Sequence, residues 1–295
     1  MECPALCRLR AFLAAHRGLR IALIAACVLL VLLLVLHPHG TKTYLILGVD
    51  NYGLPDASGR SDVILLAQVD FTRTRITAVT FARDLFIDNE RGRPTKINTI
   101  VRSHDEQTLC SLVEQNFGVP IDGWFRVNFT SVILLVDAIG GAQVELTEAE
   151  AKYIDRTVGK YPGYRLKEGL CRLNGAQALC YARCRKLDND MGRGERQSKL
   201  LAAMVKQTRS LSAGKLLGVF RELQGAWRSS LSGGEQLTLL LKSLWLRGAK
   251  VERAGMPFEG TWRYGNAGDQ GGVIADLEEN RRQLLALLGL PDSTQ

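Results

Sequence analysis

Ile21 to Leu36 is a run of sixteen residues without a charge, almost all Leu, Val, Ile and Ala, and it decides where the rest of the chain must live. At about 1.5 Å of rise per residue a helix there spans about 24 Å, short of the roughly 30 Å hydrocarbon layer. Leu19 and the flanking His37-Pro38-His39 extend or anchor it. Arg8, Arg10, Arg17 and Arg20 precede it against Glu2 alone, which keeps the N terminus cytoplasmic by the positive-inside rule. A cleaved signal peptide has a shorter apolar core, about 7 to 15 residues, and ends in small residues. This run ends in Val-Leu-His-Pro-His with no A-x-A, so an uncleaved anchor is the expectation. No later stretch is long and apolar enough to span, which puts everything after Gly40 outside a single-pass cell membrane protein.

The remainder is ordinary globular material, 46% hydrophobic and 23% charged. Its 38 Lys and Arg against 30 Asp and Glu favour an anionic partner: nucleic acid, a membrane surface or a phosphorylated substrate. Cys110, Cys171, Cys180 and Cys184 fall outside the membrane, where disulfides persist. Three pairings of those four are open, as are buried thiols. A zinc cluster is disfavoured, because His104 is the one histidine away from the membrane edge.

Strand and helix patterns interleave along the chain. Tyr44–Val49 is a short apolar run closing at Asp50 in a Gly/Pro/Asp-rich loop. Val63–Val69 and Ile76–Phe81, around Thr72–Thr74, form a hairpin pattern. Leu109, Leu112, Val113 and Phe117 recur at helical spacing before Gly118-Val119-Pro120. Phe125, Val127 and Phe129 alternate as in a half-buried strand, and Thr130 is a candidate cap for a helix reaching Ile139. Val144–Leu146 reads as a strand. Thr147-x-x-Glu150 is a capping box, and Asn174-x-x-Gln177 opens a second helix. Leu200, Leu201, Met204 and Val205 stripe a longer helix, and helical patterns return at Gln236–Leu246 and Ile274–Leu288. The class is α/β with one main sheet.

Three clusters carry chemistry. Asp50 closes the first strand and Asp62 precedes the second. Carboxylates at strand ends can share a hard cation such as Mg²⁺ (or Mn²⁺), or they can simply be turn formers. Arg83-Asp84 follows an apolar strand, and Arg83 either binds phosphate or pairs with Asp84 on the surface. The third cluster is the most unusual: Arg183, Arg185, Lys186, Arg193 and Arg196 fall within fifteen residues, with Gln197 at the end. Arginine is the side chain for bidentate phosphate contact; a solvated basic face is the bland alternative. Arg193 and Gln197 share a helix face, whereas Arg183 and Arg185 share a side only in extended chain. Nucleic acid is set aside, since the cluster lacks interleaved aromatics and lies in the wrong compartment.

Taken in order, these pieces resemble the LytR-CpsA-Psr family of membrane-anchored cell-wall ligases. The resemblance rests on Leu47-Gly48-Val49-Asp50, Gly59-Arg60-Ser61-Asp62, Ala82-Arg83-Asp84, Lys96-Ile97-Asn98 and Val136-Asp137-Ala138-Ile139-Gly140-Gly141. It continues through Leu173-Asn174-Gly175-x-x-Ala178-Leu179-x-Tyr181-x-Arg183-x-Arg185 and Gly192-Arg193-x-x-Arg196-Gln197. It implies an α-β-α sandwich around a central mixed sheet, holding a polyprenyl chain in an apolar cavity. It also implies that Asp50 and Asp62 hold Mg²⁺ while Arg60, Arg183, Arg185, Arg193 and Gln197 grip the diphosphate. Arg83 would sit beside the reacting phosphorus, with Asp84 and Asp50 in the catalytic set. Ala82 stands where many members carry Pro, and Cys180 and Cys184 interrupt the arginine motif. The organisation expected is a cytoplasmic tail 1–20, an anchor 21–36, a linker 37–43, a catalytic core 44–210 and a helical part 211–295 completing the same domain.

The activity so implied transfers a glycopolymer, with its linking phosphate, from a polyprenyl diphosphate to a peptidoglycan hydroxyl. A hydrolase of the same lipid and a non-catalytic wall-polymer binder or signalling module are the rival classes. A Ser-His-Asp hydrolase is disfavoured, because His104 lies in no nucleophile elbow.

Overall fold

The computed structural model describes residues 39–50, 61–159, 165–184, 187 and 190–292, the last of these without the side chains of 190–194. The expected anchor Ile21–Leu36 lies outside them. Among the described residues no helix is long and apolar enough to cross a membrane.

From Gly40 onward the chain is built on a six-stranded mixed sheet. β1 (Thr41–Val49) is its spine. β2 (Ser61–Asp70) runs antiparallel to it, and β3 (Arg75–Phe81) antiparallel to β2. The expected hairpin is therefore present. Asp70 sets its turn by accepting the Arg73 N–H at 2.8 Å, and Thr74 follows in the left-handed region at φ +51°. β6 (Gly123–Val127) lies parallel to β1 on the other side and carries the two-residue edge strand β9 (Arg228–Ser229). β10 (Lys250–Met256) pairs in parallel with β3 and closes the opposite edge.

Smaller pieces hang on this frame: β4 (Phe86–Asp88) with β5 (Pro94–Lys96), β7 (Ala142–Leu146) with β8 (Gly169–Leu173), and β11 (Trp262–Ala267) with β12 (Gln270–Ala275). The helices are α1 (Ile97–Ser103), α2 (Glu106–Phe117), α3 (Phe129–Ala138), α4 (Glu148–Val158), α5 (Gly175–Arg183), α6 (Asp190–Ser210), α7 (Ala213–Glu222), α8 (Gly233–Ser243) and α9 (Leu277–Leu288). A 3-10 turn, Leu244–Gly248, follows α8.

Most local signals act as the sequence predicts. Thr147 and Asn174 cap α4 and α5 through reciprocal bonds with Glu150 and Gln177, and α2 stops on left-handed Gly118. Three readings are corrected. The strand expected to reach Phe129 ends at Val127, and the cap of α3 is Asn128, not Thr130. Asn128 exchanges bonds with Ser131, which a capping-box scan for Glu or Gln passes over. The stretch after residue 210, read as helical, also supplies β9 to β12. β10 escaped notice because Lys250, Glu252 and Arg253 give an edge strand the charge it needs and hide its apolar pattern.

Because side chains alternate along a strand, the sheet has two faces. Leu45, Leu47, Ile64, Leu66, Val79 and Phe81 point to one, where α1, α2 and α9 seal them into the principal core. Arg126 on β6 meets Glu106 on α2 at 2.6 Å, both side chains nearly inaccessible. Glu106→Ala would strip a carboxylate from a buried guanidinium. Removing one partner of a buried pair costs about 3 to 5 kcal/mol. Urea denaturation should show that loss, and Glu106→Leu with Arg126→Met should recover most of it.

Candidate functional site

The opposite face of the same strands is just as apolar but is not sealed. Register puts Ile46 level with Leu65 and Phe125, Gly48 level with Val63 and Val127, and Ala67 level with Ala78. All of these remain partly exposed, and Val63 reaches 36%. Among the described residues this face is closed at the lower end, where Tyr44 and Val69 pack against Leu239, Leu246 and Ala249. Burial drives the Tyr44 phenol up to about 12, reinforced by Asp122 and Glu235, so it stays neutral. Among the described residues the strand side chains leave a partly exposed apolar lane along the sheet.

That lane ends in a charged rim. Asp50 leaves the end of β1 and Asp62 enters β2 beside it, because Val49 pairs with Ser61. Arg83 comes two residues after Phe81, whose partner Ile64 lies two residues past Asp62, so the antiparallel register brings the two side chains together. The Arg83 guanidinium lies 3.5 Å from the Asp62 carboxylate and 3.4 Å from that of Asp84. Arg183, the last residue of α5, reaches within 3.7 Å of Asp50 and covers the Phe129 ring at 4.1 Å from its centroid. All five charged groups are between 30% and 47% exposed. Ion pairs this long and this wet hold their partners weakly, by about 0 to 1 kcal/mol, so an incoming anion can compete for the guanidiniums.

The loop behind Arg83 is rigidly supported. Ala82 donates its N–H to Met256, Leu85 donates to Ala82, and the Asp84 carbonyl accepts from Val273 on β12 at 2.9 Å. Of the remaining predicted residues, Arg60 and Arg185 lie outside the described residues. Arg193 sits on α6, and its side chain is likewise not described. Gln197 lies on α6 with its amide 3.4 Å from the Ala182 carbonyl, beside Arg183. The helix ends at Arg183 and Cys184 is extended, so the chain leaves α5 before Arg185.

Several contributors were not legible in sequence. Arg196 is not at the rim; it is 3% exposed, donates to the Cys184 carbonyl at 2.7 Å and lies 3.5 Å from Glu150. It ties α6 to the residue that follows Arg183. Asp137 accepts the Gly175 N–H at 2.7 Å and so holds the start of α5. Gly175 itself lies so close to α3 that a Cβ would stand 2.7 Å from the Ile133 Cα and nearer still to its carbonyl oxygen. Burial raises the Tyr181 phenol to about 12, with Glu150 adding to the shift and Arg196 opposing it. Cys110, Cys171, Cys180 and Cys184 are all free thiols, and burial raises that of Cys180. None of the pairings left open above is formed.

The sequence model described as the LytR_cpsA_psr family matches residues 32–284. The chain belongs to that family. Within it, a TagU of Halalkalibacterium halodurans, named as a polyisoprenyl-teichoic acid–peptidoglycan teichoic acid transferase, is 33% identical over 198 residues, 62% of either chain. TagV of Bacillus subtilis (strain 168), named for the same transfer, is 29% identical over 57% of this chain and 44% of its own. The chain thus spans about half to three-fifths of the length of these LytR_cpsA_psr relatives. The structure of TagT bound to LIIa-WTA superposes with a TM-score of 0.66 at 22% identity, over 85% of this chain and 91% of that one. That likeness establishes the shared fold, an α/β architecture on a central mixed sheet.

The geometry makes Gly175 a sensitive point for a LytR_cpsA_psr rim. Gly175→Ala should force α3 and α5 apart and lower stability by about 1 to 3 kcal/mol. Because Arg183 and Phe129 sit on those two helices, guanidinium stacking should loosen as well. Thermal denaturation and the crystal structure of the variant check both effects.

Proposed function

We propose that this protein transfers a glycopolymer and its linking phosphate from a polyprenyl diphosphate carrier to a peptidoglycan hydroxyl, releasing polyprenyl phosphate. The observation that carries the reading is the apolar lane ending at a rim of three carboxylates and two guanidiniums. A prenyl chain needs an unsealed greasy surface, and its diphosphate needs positive charge at the end of it. The named activity of the TagU and TagV relatives agrees with it. In the same reading, residues 21–36 anchor the chain in the membrane with its N terminus in the cytoplasm and the residues after Gly40 outside.

The reaction breaks one phosphoanhydride bond. The acceptor oxygen forms a bond to the phosphorus that bears the glycopolymer, and the bridging oxygen departs with polyprenyl phosphate. Arg183, steadied over Phe129, would take the charge growing on that leaving phosphate, with Arg60, Arg185, Arg193 and Gln197 completing the grip. Arg83 would sit against the reacting phosphorus. Preorganised contacts of this kind are each worth about 3 to 4 kcal/mol in the transition state. Arg83 is no base, since a guanidinium pKa exceeds about 12. Asp84, beside it and 40% exposed, is the apt carboxylate to receive the proton of the acceptor hydroxyl.

The donor set also suits a hard cation. Asp50 and Asp62 offer carboxylate oxygens at the ends of two adjacent central strands, each engaged among the described residues by one long ion pair. Among the described residues no cluster of three or more His, Cys, Asp or Glu forms a closed metal cage. Mg²⁺ commonly takes one or two carboxylates and completes its shell with water and substrate phosphate. Asp50 and Asp62 would hold Mg²⁺ (or Mn²⁺), which when bound supplies Lewis-acid neutralisation of the diphosphate.

Asp50→Ala and Arg83→Ala should each lower transfer from a lipid-diphosphate donor by about 100-fold or more while leaving circular dichroism unchanged. Product analysis with and without peptidoglycan separates transfer from hydrolysis. Normal transfer by either folded variant would overturn the assignment.

A further inference from the structure

We infer that the β11–β12 hairpin is a sugar-binding platform for the acceptor, a peptidoglycan glycan strand, and that Trp262 and Tyr264 are its contact residues. This rests on the transferase reading above and adds the acceptor subsite to it.

Trp262 and Tyr264 are two apart on β11, so they project from the same face of the strand. Their rings meet edge to face at 5.1 Å between centroids and 89° between planes, yet they are 41% and 76% exposed. Two adjoining aromatic rings kept in water in this way mark a contact surface. Asn266, two residues further along β11, falls on that same face and is exposed too. A sugar ring offers an apolar C–H face and a girdle of hydroxyls. A right-angled aromatic corner flanked by an amide matches both.

The hairpin is fastened to the reacting loop. Val273 donates to the Asp84 carbonyl at 2.9 Å, and Leu85 bridges Val273 in parallel. Tyr264 pairs with Val273, so its Cα stands two strand spacings, about 10 Å, from the strand of Asp84. Gly272 makes the attachment intimate: a Cβ there would lie 2.6 Å from the Asp84 oxygen and 2.7 Å from the Phe86 ring.

Position along the sheet separates acceptor from donor. Arg183 and Phe129 stand at the β1–β6 side, whereas the Arg83-Asp84 loop and the hairpin stand at the β3–β10 side. Phosphoryl transfer needs attacking and leaving oxygens roughly in line. With the leaving phosphate gripped at Arg183, the attacking hydroxyl arrives from the side of Asp84, where the aromatic corner is.

Soluble uncrosslinked peptidoglycan glycan strands, titrated without donor and followed by calorimetry, test the inference on the full chain. Trp262→Ala/Tyr264→Ala should weaken strand binding by about tenfold or more while circular dichroism is unchanged, and Trp262→Phe should retain most of the affinity. Binding of the lipid-diphosphate donor should be the same in all three. Undiminished strand binding by the double variant, no strand binding by the unaltered protein, or an equal loss of affinity for the donor's free glycopolymer would each overturn it. Asp50→Ala should bind strands normally, so failure of the transferase reading shows in turnover and failure of the platform shows in binding.

Discussion

The two faces of the central sheet do opposite things with the same kind of side chain. On one, Leu45, Leu47, Ile64 and Leu66 are fully removed from water by α1, α2 and α9. On the other, Ile46, Leu65, Ala67 and Val127 are left half covered. Apolar surface held in water forgoes about 25 cal/mol per Å², so the open face is a standing destabilisation that the sealed face must offset. Everything proposed for this protein depends on that asymmetry. A sheet sealed on both faces would have no room for a prenyl chain, and the rim would bind only small anions.

The rim in turn depends on contacts that never touch it. Arg183 is aimed by the end of α5. The start of that helix is tied to α3 by Asp137 and Gly175, and its end is tied to α6 by Arg196. Arg83 is aimed by a short turn whose carbonyls and amides are taken up by β10 and β12. The ion pairs at the rim are long and partly exposed, while the backbone of the Ala82–Leu85 loop is held by bonds to β10 and β12. That division suits a site that must release its internal ion pairs when a diphosphate arrives, without paying again in conformational entropy.

Much of the fold was legible because its signals are local. Thr147 with Glu150, Asn174 with Gln177, and Gly118 after Phe117 act within one helical turn, and they behave as their chemistry dictates. Elements with atypical local composition were missed: Asn128 caps α3 through a serine, and β10 hides its pattern behind charges. The candidate site was legible as a set of residue types, and Asp50, Asp62, Arg83 and Arg183 do gather at one end of the central strands. The roles of Arg196, Asp137 and Phe129 were not. A buried arginine and a rim arginine look alike on paper, and burial is set by neighbours far away in the chain.

By itself the sequence determined the class of the fold, most of the helices and the central strands β1, β2, β3 and β6, the charge that calls for an anionic partner, and the short list of residues able to bind one. These follow from spacing, capping chemistry and side-chain type, which act over a few residues. Only the tertiary structure decided which face of the sheet stays open and which carboxylate meets which guanidinium. It also decided that four thiols remain unpaired and that the Trp262–Tyr264 corner is bolted to the loop of Asp84. Those outcomes depend on strand register and on packing between segments up to about two hundred residues apart, where no local pattern reaches.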